Sequence, residues 1–153
     1  MRARLVIGAD EVVRILPENL VVAARVDTGA ETSSLHAVDI EHFERHGNSW
    51  VRFRTLDEDT GMDAVLERPR VRWSRIRNRA AEARRGKGHE RRPVVELQVR
   101  LQHRERTIEV NLTDRQPFEY KMLVGRSGIL EFDAIVDPAE PGANGKARPA
   151  KPH

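Results

Sequence analysis

Apolar and polar residues alternate along much of this chain with a period of two, the pattern of strands that bury one face. The clearest runs are Val94-Val95-Glu96-Leu97-Gln98-Val99-Arg100-Leu101 and Thr107-Ile108-Glu109-Val110-Asn111-Leu112. Residues 102–106 between them read as the turn of a β-hairpin. Trp50-Val51-Arg52-Phe53-Arg54 alternates in the same way, 57–61 carries turn chemistry, and Ala64-Val65-Leu66 returns, so 49–68 predicts a second hairpin. Val71-Arg72-Trp73 prolongs the alternation to about Ser74. Elsewhere the runs are shorter. Residues 5–8 predict a strand and turn, 21–26 a buried strand, 33–37 another, 122–124 a third, 127–131 a short helix and 134–136 an edge strand. Two stretches stay open: 12–17 fits a strand or a helical turn ended by Pro17, and 39–46 fits one or two helical turns or an irregular strand stopped by Gly47-Asn48. Strands in this number, with one short helix near the end, predict an all-β fold, a small closed barrel.

Composition narrows the picture. The 153 residues are 39% hydrophobic and 33% charged, enough for one domain with a modest core. Aromatics are 5%, a poor supply of stacking surfaces for single-stranded nucleic acid. The chain has no cysteine, which excludes disulfides, thiol nucleophiles and cysteine metal sites. No apolar run approaches the roughly 20 residues that span a bilayer, and the basic N-terminus has too short an apolar stretch for a signal peptide. The expectation is a cytoplasmic protein with no membrane partner. Net charge is +3, but it is uneven: 68–92 holds eleven Lys or Arg against two acids, Glu82 and Glu90. From Arg75 onward this segment has almost nothing to bury, so it predicts a mobile loop or basic insertion. The segment 137–153, with four prolines and two glycines, predicts a disordered tail after a domain covering 1–136.

The candidate chemistry sits where the buried strand 21–26 ends in Asp27-Thr28-Gly29-Ala30. A carboxylate at a strand end, followed at once by a glycine turn, is held on one side and open on the other. A second Asp-Thr-Gly, 59–61, lies only about thirty residues later among acids, with no apolar strand feeding it, and reads as a hairpin tip.

The string Val26-Asp27-Thr28-Gly29-Ala30-Glu31-Thr32-Ser33-Ser34-Leu35-His36-Ala37, with Leu112-Thr113-Asp114-Arg115 and Met122-Leu123-Val124-Gly125-Arg126, resembles the retropepsin-like bacterial family known as ATP-dependent zinc proteases. Some members of that family are linked to the ligase that adds glutamate tails to a ribosomal protein. The resemblance runs from about Ile7 to Val136 and implies a retropepsin-like barrel and an aspartic endopeptidase. Asp27, Thr28 and Gly29 would be catalytic, and Ala30, Thr32, Ser34, His36 and Arg126 would border the substrate. An aspartic peptidase needs two carboxylates sharing a proton. This chain supplies one, so the resemblance implies a homodimer in which two Asp27 residues meet at a twofold axis. Thr28 would brace the loops across that axis, and Arg126 would pair with a backbone or acidic group near the loop, Glu31 being a candidate. Ala30, in place of a Ser, removes one partner of the ionised state and implies a less acidic optimum than in Ser-bearing relatives. The substrate would be a peptide or a poly-glutamate-tailed protein, with ribosomal association.

No cofactor is expected. Zinc takes three or four ligands, and His42-Phe43-Glu44-Arg45-His46 has Phe43 where the zinc-peptidase helix carries its general base. A zinc hydrolase would have to recruit His36 or Glu41 as well. No Gly-rich phosphate loop exists, so ATP binding has no support. The remaining alternative is a catalytically silent barrel that binds an acidic partner, a ribosomal protein or RNA, through 68–92. The Arg75 that follows Ser74, and the Arg-rich insertion after it, depart from the family pattern.

Overall fold

A computed structural model describes residues 3–77 and 89–142 of the chain. Eleven strands and one helix follow in order: β1 (Leu5–Ile7), β2 (Asp10–Leu16), β3 (Leu20–Val26), β4 (Ser33–His36), β5 (Val38–Arg45), β6 (Asn48–Asp57), β7 (Met62–Arg77), β8 (His89–Leu101), β9 (Arg104–Thr113), β10 (Met122–Val124), α1 (Arg126–Glu131) and β11 (Ala134–Val136). The sheet order is β2-β3-β10-β4-β9-β8-β7-β6-β5, and β2 also pairs with β8. That extra pairing closes β2, β3, β10, β4, β9 and β8 into a barrel, as the strand count predicts.

Closure depends on β8 serving two neighbours along one edge. Its first half pairs with β7 from His89 to Val95, and its last four residues, Gln98 to Leu101, pair with β2. β7 bends away at an irregularity between Arg70 and Arg72 and spends its first half against β6. The result is a barrel with a three-stranded flap of sheet, β5-β6-β7, laid beside it. Ile7, Ile15, Val22, Leu35, Leu97, Val99, Leu112, Met122 and Phe132 are all but fully buried inside, and Val51, Phe53 and Leu66 of the outer sheet join the same core. Burial on that scale, about 25 cal/mol per Å2 of apolar surface, is what holds the barrel shut.

Both open stretches are strands. β2 runs through Val12–Ile15 because its alternate residues Val13 and Ile15 enter the core. Residues 39–45 belong to β5, joined to β6 through His46 and Gly47, both at positive φ (52° and 78°), as a tight hairpin turn requires. The turn between β8 and β9 is only Gln102 and His103, shorter than 102–106, because Arg104 to Arg106 pair in register with Val99 to Leu101.

Strand continues through Ser74 as the alternation predicts, but the mobile-loop reading from Arg75 onward fails for 75–77 and 89–92. Positions 68–77 and 89–92 are paired strand, because backbone pairing between β7 and β8 supplies what the side chains cannot bury. Residues 78–88 lie outside the described residues. The first residues of the predicted tail are held to the barrel: Asp137 N–H donates to the Ile7 carbonyl (2.8 Å) and Glu140 N–H to the Asp137 carbonyl (2.9 Å). Residues 143–153 lie outside the described residues. No helix among the described residues is long and apolar enough to cross a membrane.

Candidate active site

Asp27 is placed by two strands that meet from distant parts of the chain. β3 and β10 run parallel in register, Val26 beside Val124, and the Asp27 amide continues the ladder by donating to the Val124 carbonyl (2.9 Å). The chain then turns back on itself. Ala30 N–H donates to the Asp27 carbonyl (3.2 Å), and Gly29 N–H donates to the Asp27 carboxylate oxygen Oδ1 (2.8 Å). A Cβ at position 29 would stand 3.1 Å from that oxygen, so glycine keeps the carboxylate uncrowded. Asp27 is half-buried while Thr28 and Gly29 are exposed, which leaves the acid held from behind and open in front.

The segment after β10 clamps this turn. Arg126 and Ser127 N–H groups donate to the carbonyls of Ala30 (2.8 Å) and Glu31 (3.0 Å), and Gly125 N–H donates to Ser33 Oγ (3.1 Å). The Arg126 guanidinium donates to the Thr28 carbonyl (3.0 Å); its partner is backbone, and no Arg126–Glu31 ion pair occurs among the described residues. Gly125 fits because nothing larger can: an added Cβ would lie 2.4 Å from the Thr32 carbonyl oxygen.

Thr32 and Ser34 face a polar network. Ser34 Oγ donates to the Asn111 side-chain oxygen (2.8 Å), Asn111 donates to Thr32 Oγ1 (3.3 Å), and Arg92 donates to the same Asn111 oxygen (3.1 Å). His36 lies apart from this network. It is 8% exposed, and its Nδ1 accepts the Arg115 N–H (2.9 Å), with Asp114 at 3.7 Å. Burial holds its pKa below the usual histidine value, against the pull of Asp114. His36 therefore sets the 112–115 segment against β4 and is not among the residues that line the cleft described next.

A cleft of about 800 Å3 opens beside the Asp27 turn. Gly29, Ala30, Thr32 and Ser34 form one wall, and four arginines, Arg72, Arg75, Arg92 and Arg115, stand around it. Asp27 itself is at the lip, outside the lining. Arg72 and Arg92 are bridged to Glu109 (2.9 Å) and Glu90 (3.3 Å). Arg75 and Arg115 have no carboxylate partner among the described residues. Burial and the nearby Arg92 both push the Arg115 guanidinium below its usual pKa, the mark of a crowded cationic site. Arg115 is held there by its Nε donating to the Tyr120 carbonyl (3.1 Å), and the Tyr120 hydroxyl donates to Asp10 (2.6 Å). Burial and that bond raise the Tyr120 hydroxyl to about 12.

Sequence reasoning found the basic segment but not these cleft residues. Arg72, Ser74, Arg92 and Asn111 come to one face only through the β7-β8-β9 register, Ser74 beside Arg92 and Val94 beside Asn111. The signal was the alternation itself, unreadable without knowing the partner strand.

The residues do not fit zinc. His36 is buried with Nδ1 engaged, and His42 sits on the exposed edge strand against Trp73 (5.1 Å) and Arg70 (3.4 Å). Among the described residues no group of three His, Asp or Glu is placed to hold a metal ion. The second Asp-Thr-Gly is a turn between β6 and β7: Asp59 N–H donates to Asp57 Oδ1 (3.0 Å), and Gly61 takes φ 73°.

Three comparisons bear on this geometry. The family model of the retropepsin-like aspartic endopeptidase RimB matches residues 6–146. Proteins named "Probable alpha-L-glutamate ligase" from Desulfotalea psychrophila and Shewanella pealeana are each 34% identical, over 77% and 78% of this chain but only 24% and 25% of their own lengths. The chain thus spans about a quarter of the curated relatives it matches. A crystal structure of a protein of unknown function from Legionella pneumophila superposes with a TM-score of 0.75 at 36% identity, covering 90% of this chain and 96% of that one.

Proposed function

The chain belongs to the RimB-like family of retropepsin-like aspartic endopeptidases, and from that premise we propose that it hydrolyses an acidic polypeptide, a glutamate-linked tail, with a dyad made of two Asp27 residues across a homodimer. The observation that carries this reading is the Asp27 turn: a carboxylate oriented by the Gly29 amide, clamped by Gly125 and Arg126, and open at the lip of a cleft. Each chain offers one such acid. Two of them brought within a few ångströms cannot both ionise, so one keeps a proton. The ionised carboxylate takes a proton from water as the oxygen attacks the peptide carbonyl, and the protonated one donates to the carbonyl oxygen. Thr28, exposed beside Asp27, is free to brace the facing loop.

The substrate class follows from charge. Four arginines around one cleft, two without a carboxylate partner among the described residues, favour an anionic chain. The names of the relatives, which concern glutamate ligation, agree with a glutamate tail. The test is incubation with glutamate-tailed and untailed protein, read by mass, for wild type and Asp27→Asn. Shortening of the tail by wild type and none by Asp27→Asn, with unchanged folding, is the expected result; equal turnover by both refutes the dyad. A second reading rests on the same arginines: a silent barrel that binds an acidic partner. It predicts binding of tailed protein without cleavage by either form.

A further inference from the structure

The four arginines of the cleft are not equivalent. Arg72 is bridged to Glu109 (2.9 Å), and Arg92 is held by Glu90 (3.3 Å) and by the Asn111 side-chain oxygen (3.1 Å), so their charge is largely answered within the protein. Arg75 is exposed and hydrated by open solvent. Arg115 differs from all three. It is half-buried in the cleft wall, its Nε donates to the Tyr120 carbonyl (3.1 Å), and its Nη1 and Nη2 have no acceptor among the described residues. A guanidinium that has lost part of its water, with Arg92 repelling it and no anion to replace that water, is held at a cost.

The chain around Arg115 keeps that side chain in place. The Arg115 N–H donates to the buried His36 Nδ1 (2.9 Å), which anchors its backbone to β4. Lys121 Nζ donates to the carbonyls of Gln116 (3.0 Å) and Phe118 (2.7 Å) and so closes 115–121 into a tight loop. The guanidinium lies over the Phe118 ring at 4.7 Å. Tyr120, whose carbonyl holds Nε, is itself tied through its hydroxyl to Asp10 (2.6 Å). With Nε engaged and the plane fixed, the two Nη groups present a pair of parallel donors that match the two oxygens of a carboxylate.

We propose that Arg115 is the specificity-determining residue of the cleft, seating one carboxylate of the substrate end-on through Nη1 and Nη2, while the other three arginines add only general attraction. This rests on the peptidase reading above and narrows its substrate from a negatively charged chain to one seated carboxylate. A glutamate side chain and a free C-terminus both carry that group.

Binding is measured without turnover on full-length Asp27→Asn with fluorescent peptides. The set is hexaglutamine amide, the same peptide with one glutamate, hexaglutamate amide, and hexaglutamine with a free C-terminus. A single carboxylate should tighten binding about tenfold over hexaglutamine amide, the scale of one charge-assisted hydrogen-bonded pair. The further glutamates of hexaglutamate should add only about twofold to fivefold, as exposed charges do. Whether the gain comes with the side chain or with the free terminus tells which carboxylate is seated. Arg115→Met keeps an apolar stem on Phe118 and should erase the gain. Arg115→Lys should not restore it, because an ammonium lacks the fork, and Arg75→Met should keep most of it. Affinity that climbs evenly with each glutamate, a gain that survives Arg115→Met, or full affinity in Arg115→Lys overturns the fork and leaves the anionic-substrate reading intact. The peptide comparison with Arg115 unaltered stands even if Arg115→Met unfolds. Failure of hexaglutamate to bind overturns both.

Discussion

The Asp27 turn and the outer sheet β5-β6-β7 are both β structure, and they are held in opposite ways. The turn is fixed by backbone: five amides, from Asp27, Gly29, Ala30, Arg126 and Ser127, each find an acceptor within 3.2 Å, and Gly125 fills a space that admits no side chain. The outer sheet is laced by exposed side chains. Glu67 bridges Arg45 (2.8 Å) and Arg52 (2.7 Å), Arg54 meets Asp39 (2.7 Å), and Arg45 stacks over Trp50 at 4.4 Å. Exposed pairs of this kind contribute little, because water and salt screen them and long side chains lose entropy in making them. Backbone contacts therefore leave little room around Asp27, whereas the exposed ion pairs of the outer sheet add little to what its backbone ladder and its buried Val51, Phe53 and Leu66 already hold.

Substitutions can break or sharpen that contrast. The largest effect is expected at Gly125→Ala, where the new Cβ meets backbone rather than a movable side chain. The turn must shift or the barrel must loosen, at about 3 kcal/mol or more; thermal unfolding should show a large drop in midpoint, and a midpoint near wild type would show the turn to be soft. An intermediate effect is expected at His36, which anchors the segment after β9 to β4 by accepting the Arg115 N–H. Its folded pKa lies below the reference value of 6.5, so the unfolded chain takes up the proton first. Stability from this group is full above about pH 6.5 and declines as pH falls through the lower folded pKa, where Nδ1 can no longer accept. His36→Gln offers an acceptor that does not titrate, and it should flatten the fall in melting midpoint between pH 7 and 5.5; an unchanged slope would assign the acid sensitivity elsewhere. The smallest effect is expected at Glu67→Gln, which removes two ion pairs yet should leave the unfolding midpoint within the scatter of surface substitutions. A large drop there would mean that the outer sheet is structural in the same sense as the turn.

Much of this was legible before any coordinates. The alternation of 94–101 and 107–112 yields the β8-β9 hairpin, and Asp27-Thr28-Gly29 at the end of an apolar run marks the turn. The misses come from contacts between distant parts of the chain. The stretches 75–77 and 89–92 look unable to order because their sequence is almost without apolar residues, but their order comes from backbone pairing, which leaves no trace in composition. His36 reads as a cleft residue by alternation with Thr32 and Ser34, yet the 112–121 segment folds over it.

The sequence by itself determined most of the strands, the all-β class and the strand-end position of Asp27, because those depend on neighbours within a few residues. Tertiary structure alone decided which charges share a groove. The cationic lining of the cleft depends on the register of β7, β8 and β9, and a shift of one residue in any of these strands would carry its cleft side chains to the other face.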